Sequence, residues 1–170
     1  MKKHNGMRSL DIVVLLKIIA KQNNDWFIKD LAYELGISQS EVSESLNRSM
    51  IASLLKQNKK SVVKRALYEF LRYGISYVYP QLPGSIVRGI ATAHSAPPLN
   101  RIIQSEGAFV WPYVNGNIRG QSIEPLHKSV PIAIQNDNKL YELLALVDSI
   151  RVGRKREIAI ALKELQSRIL

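Results

Sequence analysis

The chain contains no cysteine. Disulfides, thiolate zinc sites and cysteine nucleophiles are therefore excluded, and nothing points to an oxidising compartment. Acid is also scarce. Fourteen aspartates and glutamates stand against 24 lysines and arginines, a formal charge of +10. Such a balance suits an anionic partner: nucleic acid, an acidic protein or a membrane surface. Long apolar runs are missing as well. The longest near the start, Ile12 to Leu16, is broken by Lys17 before Ile18 to Ala20, far below the about 20 residues that a membrane span needs. Met1-Lys2-Lys3 opens like a signal peptide, but Asp11 and Lys17 interrupt the apolar stretch and no small-residue cleavage site precedes Asn23. The expectation is a cytoplasmic protein with no membrane contact.

Enzyme signatures are absent too. The chain has no Walker A, G-x-G-x-x-G or G-x-S-x-G sequence, so neither catalysis nor a cofactor is expected. Histidine occurs only as His4, His94 and His127. Glu124 and His127 have E-x-x-H spacing, but Pro125 lies between them in the context of a strand end, so no metal site is expected. His94-Ser95 in "ATAHSAPPL" pairs a base with a hydroxyl. Adjacent side chains rarely point the same way, and a structured proline-rich loop is the better reading.

What is present is a chain of 170 residues, 46% of them apolar. That suffices for one good core, or for a small module with a companion. Residues 1–8 (MKKHNGMR) read as a flexible basic arm. Ser9 caps a helix from Leu10 to Lys21, apolar over so wide an arc that burial between partners is expected. Ile28 to Leu35 is a short helix ended by Gly36, and Gln39 to Leu55 is the next. Ser61 starts a helix that Gly74 ends as a C′ glycine. The texture then changes. Ile75 to Tyr79 reads as a strand stopped by Pro80, and residues 81–104 read as mostly loop. Phe109 to Val114 and Ile118 to Ile123 flank Asn115-Gly116, a hairpin signal because both turn positions want positive φ. Pro112 and Gly120 inside those runs suggest an edge strand or a bulge. Asp137 to Ile150 and Lys155 to Leu170 are helical, with Gly153 between.

The fold class expected is mainly α with a small α+β part. Residues 9–74 form a (winged) helix-turn-helix DNA-binding domain. Residues 75–170 form an α+β domain, a β-hairpin plus two helices, for dimerisation or for binding a protein partner or small-molecule effector.

The strongest motif is "IKDLAYELGISQSEVSESLN", residues 28–47. A helix-turn-helix needs two helices crossing sharply on a tight turn. Gly36 sits at the turn, and Ala32 is the small residue at the crossing. Leu31, Leu35, Ile37, Val42 and Leu46 supply the apolar seam. Ser38 followed by Glu41 is a capping box that defines the start of the second helix.

This stretch resembles the DNA-binding segment of bacterial helix-turn-helix regulators. With the preceding helix and the basic loop after it, it looks like the winged-helix, MarR-like type. "GISQSEVSESLN" also resembles the equivalent stretch of lac-repressor-type regulators. The segments "LYEFLRYGISYVYP", "VWPYVNGNIRG" and "LYELLALVDSIRVGR" are similar in texture to small bacterial MarR-like proteins. The resemblance implies a transcription regulator, of the repressor kind, that binds double-stranded DNA as a homodimer. There are departures. Glu44 stands where many such helices are basic or amide, and Ser45 where they are apolar. Only Leu54 to Lys60 is left for a wing, so any wing is a stub.

On the second helix Val42, Leu46 and Met50 face inward. Gln39, Ser40, Ser43 and Asn47 remain as candidate base readers, Gln and Asn by bidentate pairing with adenine. Glu44 pairs with Arg48 at i, i+4. Candidate phosphate contacts are Ser38, Arg48, Lys56, Lys59, Lys60, Lys64 and Arg65. The last five fall between positions 56 and 65 with no acid among them. Lys2, Lys3 and Arg8 could reach a minor groove or another phosphate. Arg151, Arg154, Lys155 and Arg156 read as a solvated helix junction, with an acidic partner or a phosphate as the alternative.

Trp111, Tyr113, Tyr77 and Tyr79 could stack bases or line an effector pocket, though core positions are commoner for such residues. Trp26 is expected to pack. The dimer is expected to use Leu10–Lys21 or the apolar stripes of the two C-terminal helices. An antitoxin-like protein–protein module that also autoregulates its operon, and a non-specific nucleic-acid-binding protein, are the competing expectations.

Overall fold

The computed structural model describes residues 6–170. Most of the arm, with Lys2, Lys3 and His4, lies outside the described residues. The molecule is mixed α/β, about 53% helical with one three-strand sheet.

Helix α1 (Ser9–Lys21) is the axis of the fold, and ten of its thirteen residues are buried. It packs against α2 (Ile28–Leu35), α3 (Gln39–Ile51) and α7 (Asn138–Val152). The all-round apolar surface foreseen from the sequence is thus consumed inside one chain. The expected dimer contact through this helix has no surface left to use. Its start is also one residue earlier than expected: Arg8 is the N-cap, and Asp11 accepts the Arg8 backbone N–H at 2.8 Å.

A helix buried on every side must neutralise its charges internally, because an unpaired buried ion costs several kcal/mol. The Lys17 ammonium contacts Glu34 of α2 and Asp137, the N-cap of α7, each at 2.6 Å. The Asp11 carboxylate meets Arg48 of α3. These pairs tie α1 to three neighbours that are distant in sequence.

After α3 the chain turns through Ser53, at φ 61°, and makes a small two-stranded turn. Leu55 bridges Val62, and the backbone N–H groups of Lys56 and Val63 donate to Ser61 and Leu54. The second helix of the motif therefore ends at Ile51 rather than Leu55. Helix α4 (Lys64–Tyr73) follows. Gly74 does not stop it as a left-handed C′ residue. Its φ is −117°, and the chain continues into α5 (Ile75–Val78), where a strand was expected. Ile75 is buried, and a short turn of helix places it in the core where an extended segment would carry the chain away.

The back half holds β1 (Ile86–Ala91), β2 (Phe109–Pro112) and β3 (Ile118–Ser122). β1 lies inside the stretch read as loop. The expected β-hairpin around Asn115-Gly116 is not formed. β2 and β3 run parallel, Phe109 opposite Gln121, and both pair antiparallel with β1, closing a three-strand barrel. Gly89 pairs with Pro112 on one side and Ile118 on the other. The connection between β2 and β3 crosses at this point. A Cβ on Gly116 would lie 2.2 Å from the Gly89 carbonyl oxygen. The glycine in Asn-Gly is thus required by backbone contact, not by a positive φ.

A short helix α6 (Val130–Ala133), then α7 and α8 (Lys155–Ile169), complete the chain. α8 packs on α7 and α4. One apolar cluster runs through both sides of residue 75, from Leu15 and Leu46 to Trp111, Leu144 and Leu165. No described helix is long and apolar enough to cross a membrane.

Candidate nucleic-acid interface

Helix α3 is held in three ways. Gly36, at φ 66°, makes the left-handed turn out of α2. Ser38 caps the start: its Oγ accepts the Glu41 N–H at 3.1 Å, and Glu41 accepts the Ser38 N–H at 2.9 Å. These hydrogen bonds hold the Glu41 carboxyl below its usual pKa. Val42 and Leu46 are buried in the core, with Ser45 and Ser49 behind them. Ser45, at a position where similar helices are apolar, is fully buried and its hydroxyl has no partner among the described residues.

The opposite face leaves Gln39, Ser40 and Asn47 exposed and Ser43 half-buried. Gln39 and Ser43 line a groove of about 590 Å³ with Asn58, Lys59 and Lys60 of the two-stranded turn and the Trp26–Lys29 segment at the start of α2. The structure therefore brings the predicted readers Gln39 and Ser43 together with two predicted cations. Asn47 joins them through Lys59, whose ammonium donates to its side-chain oxygen at 2.5 Å.

The other predicted cations divide into three groups. Lys56, Lys64 and Arg65 are exposed, and Arg65 pairs with Glu69 at 3.2 Å. Such exposed i, i+4 pairs are worth only about 0.3–0.5 kcal/mol, so Arg65 exchanges partners readily. Lys60 is folded back. It donates to the Trp26 carbonyl and sits 4.2 Å from the Trp26 ring centroid and 5.4 Å from that of Phe27. Arg48 is elsewhere altogether. It faces the core, giving Nε and Nη2 to Asp11 at 2.9 and 2.7 Å, with Glu44 at 3.8 Å from Nη1. Arg48 was expected among the phosphate contacts, but a guanidinium spent on a buried carboxylate is structural.

Sequence reasoning missed the aromatic rim. Phe27 is largely exposed at the groove, and Lys29 lies 5.7 Å from its ring centroid. The available signal was the aromatic pair Trp26-Phe27 directly before Lys29 at the N-terminus of the first motif helix; that Lys60 also lies by Phe27 is a tertiary contact. Trp26 packs as expected, though its indole N–H lacks a partner among the described residues.

The other candidates have structural roles. His94 is buried, with Nε2 2.9 Å from the Gly107 carbonyl. Ser95 accepts the Phe109 N–H at 2.9 Å, so the two residues do not pair. His127 Nδ1 is 2.8 Å from Ser129 Oγ, and burial lowers its pKa. Arg151 is not part of a solvated junction. It pairs with the buried Asp148 at 2.8 Å and donates to the carbonyls of Tyr79 and Glu124. Asp148 also accepts from Thr92 and from the Trp111 indole. Arg154, Lys155 and Arg156 are exposed. Among the described residues no three His, Asp or Glu side chains gather as a metal-ligand set.

No family model, no curated protein and no solved structure matches this chain.

Proposed function

We propose that the chain is a cytoplasmic, sequence-specific transcription regulator that binds double-stranded DNA, a repressor of the winged helix-turn-helix, MarR-like kind. It acts without catalysis and without a cofactor, by occupying an operator. One observation carries the reading. The capped α3 presents Gln39, Ser40, Ser43 and Asn47 outward, and the turn beside it carries Lys56 and Lys59. In this reading α3 enters the major groove and its first turn reads base edges. The Leu54–Val63 turn is a minimal wing. Lys56, Lys59, Lys64 and Arg65 meet phosphates on either side.

The regulator works as a homodimer, so that two copies of α3 address two half-sites about one DNA turn apart. Apolar surface remains exposed at Tyr73, the last residue of α4, and beyond it at Tyr77, Val78 and Leu82.

A shift assay on DNA upstream of the chain's own gene, with scrambled competitor and a salt series, tests the proposal. Specific retardation that weakens steeply with salt is expected. Equal affinity for scrambled DNA would overturn specific regulation in favour of general nucleic-acid binding. No retardation at low salt would overturn every DNA-binding reading.

A further inference from the structure

Away from α3 the molecule has a second groove, of about 780 Å³, with a different chemistry. That volume lies in the range of small-ligand sites, roughly 300–1,000 Å³. Its walls are the connection between β2 and β3, the loop after β1, and the junction of α6 with α7. The polar lining is almost all carboxamide: Asn100, Asn115, Asn117, Gln135 and Asn138. Tyr113 and Tyr141 add ring surface. No lining residue is charged, in a chain of formal charge +10.

The walls are fixed by the fold. Gly116 lies against the Gly89 backbone, and its N–H donates to the Tyr113 carbonyl at 3.0 Å, so the segment presenting Tyr113, Asn115 and Asn117 is pinned. Tyr141 donates its hydroxyl to the Ala91 carbonyl at 2.6 Å. Burial pushes that hydroxyl up to about 12, which keeps it a neutral donor. Asn138 is the first residue of α7, directly after the N-cap Asp137 that is paired with Lys17. Gln135 is held by the Pro131 carbonyl at 2.8 Å. By contrast, the side chains of Asn100, Asn115, Asn117 and Asn138 make no hydrogen bond to another described residue.

Asn100, Asn115, Asn117 and Asn138 are exposed at the groove, and each carboxamide offers donors and an acceptor from a backbone held by the fold. A hydroxyl group both donates and accepts, so vicinal hydroxyls satisfy an amide on both of its atoms. A charged ligand would find no counter-ion among the lining residues. A wholly apolar ligand would strip water from the amides without replacing its hydrogen bonds. We infer that this groove is a binding site for a neutral, polyhydroxylated ring, a sugar unit, held by the asparagine amides and covered on its apolar face by Tyr113 or Tyr141. The site is remote from α3, and binding there is measured without DNA. The inference therefore stands or falls apart from the proposed function.

The test uses the full chain labelled with 15N, titrated to millimolar concentration with methyl glucoside, methyl galactoside, N-acetylglucosamine and maltotriose. Glucose 6-phosphate and glucuronate serve as charged comparators. At least one neutral sugar should shift the side-chain amide resonances of Asn115, Asn117 and Asn138, with the charged compounds at least about tenfold weaker. Asn138→Ala and Tyr113→Ala should each weaken that sugar by about tenfold, with the remaining amide spectrum unchanged. Three results would overturn the inference: no shift of these amides by any neutral sugar, equal binding of the charged compounds, or shifts that map to another surface.

Discussion

Arg48 of α3 and Asp11 of α1 form a bidentate pair in which the carboxylate is fully buried, with both of its oxygens engaged by the guanidinium at 2.7 and 2.9 Å. The pair anchors α3 to the axis of the core. Asp11 also takes the Arg8 backbone N–H, so one carboxylate caps α1 and orients α3.

Removing one partner strands a charge in the core. Asp11→Ala should destabilise the chain by about 3–5 kcal/mol, and Asp11→Leu with Arg48→Met should lose less than Asp11→Ala alone. Urea unfolding of the variants checks this. A double variant no more stable than Asp11→Ala would mean that the ionic pair itself, rather than the stranded Arg48, decides the energy.

Base readers and phosphate contacts should separate in binding assays. Gln39→Ala and Ser43→Ala are expected to alter operator preference, with about 1–3 kcal/mol lost at a base that Gln39 contacts bidentately. Lys56→Ala and Lys64→Ala should weaken binding equally on all sequences, each reducing the salt slope by about 1. The reverse pattern would show that the docking of α3 is different.

Lys60 should behave unlike Lys56. Its ammonium lies over Trp26 and is bonded to the Trp26 carbonyl. Lys60→Ala should therefore lower stability by about 0.5–2 kcal/mol, whereas Lys56→Ala leaves it unchanged. Thermal unfolding of the two single variants distinguishes them.

Acid should loosen the contact of α2 with α1. Burial pushes the Glu34 carboxyl up, but the hydrogen bonds from Lys17 and Lys21 outweigh it, and the net pKa lies below the usual value. A carboxyl with a depressed folded pKa contributes stability that is complete above its unfolded pKa, about 4.3. That contribution is lost as pH falls through the folded value. Glu34→Gln should flatten this acid limb of the stability profile and lower stability at neutral pH. An unchanged acid limb would show that Glu34 is not responsible.

The barrel should be intolerant at its crossing point. Gly116→Ala places a methyl 2.2 Å from the Gly89 carbonyl oxygen, a backbone atom that cannot swing aside. A loss of about 1–3 kcal/mol or more is expected, read as a fall in Tm. Asn115→Ala should be close to neutral for stability, because φ at this turn is not left-handed.

Local features of the fold were legible in the residues alone. Gly36, the Ser38–Glu41 cap and the Leu31–Leu46 seam placed α2 and the start of α3, because turn, cap and periodicity are properties of neighbouring residues. The Lys56–Arg65 cluster was equally legible as a cluster. What depends on partners far along the chain emerged with long-range packing. Arg48 became a core residue because Asp11, 37 positions earlier, lies opposite it. Arg151 was drawn inward by the buried Asp148 together with the Tyr79 and Glu124 carbonyls. The Asn115-Gly116 hairpin gave way to parallel strands because β1, hidden in a stretch rich in proline and glycine, pairs with both arms. A carboxylate inside "SLDIVVLL" was the one sequence clue that a distant cation had to be buried with it, since a charge leaves water only when another group replaces its solvation.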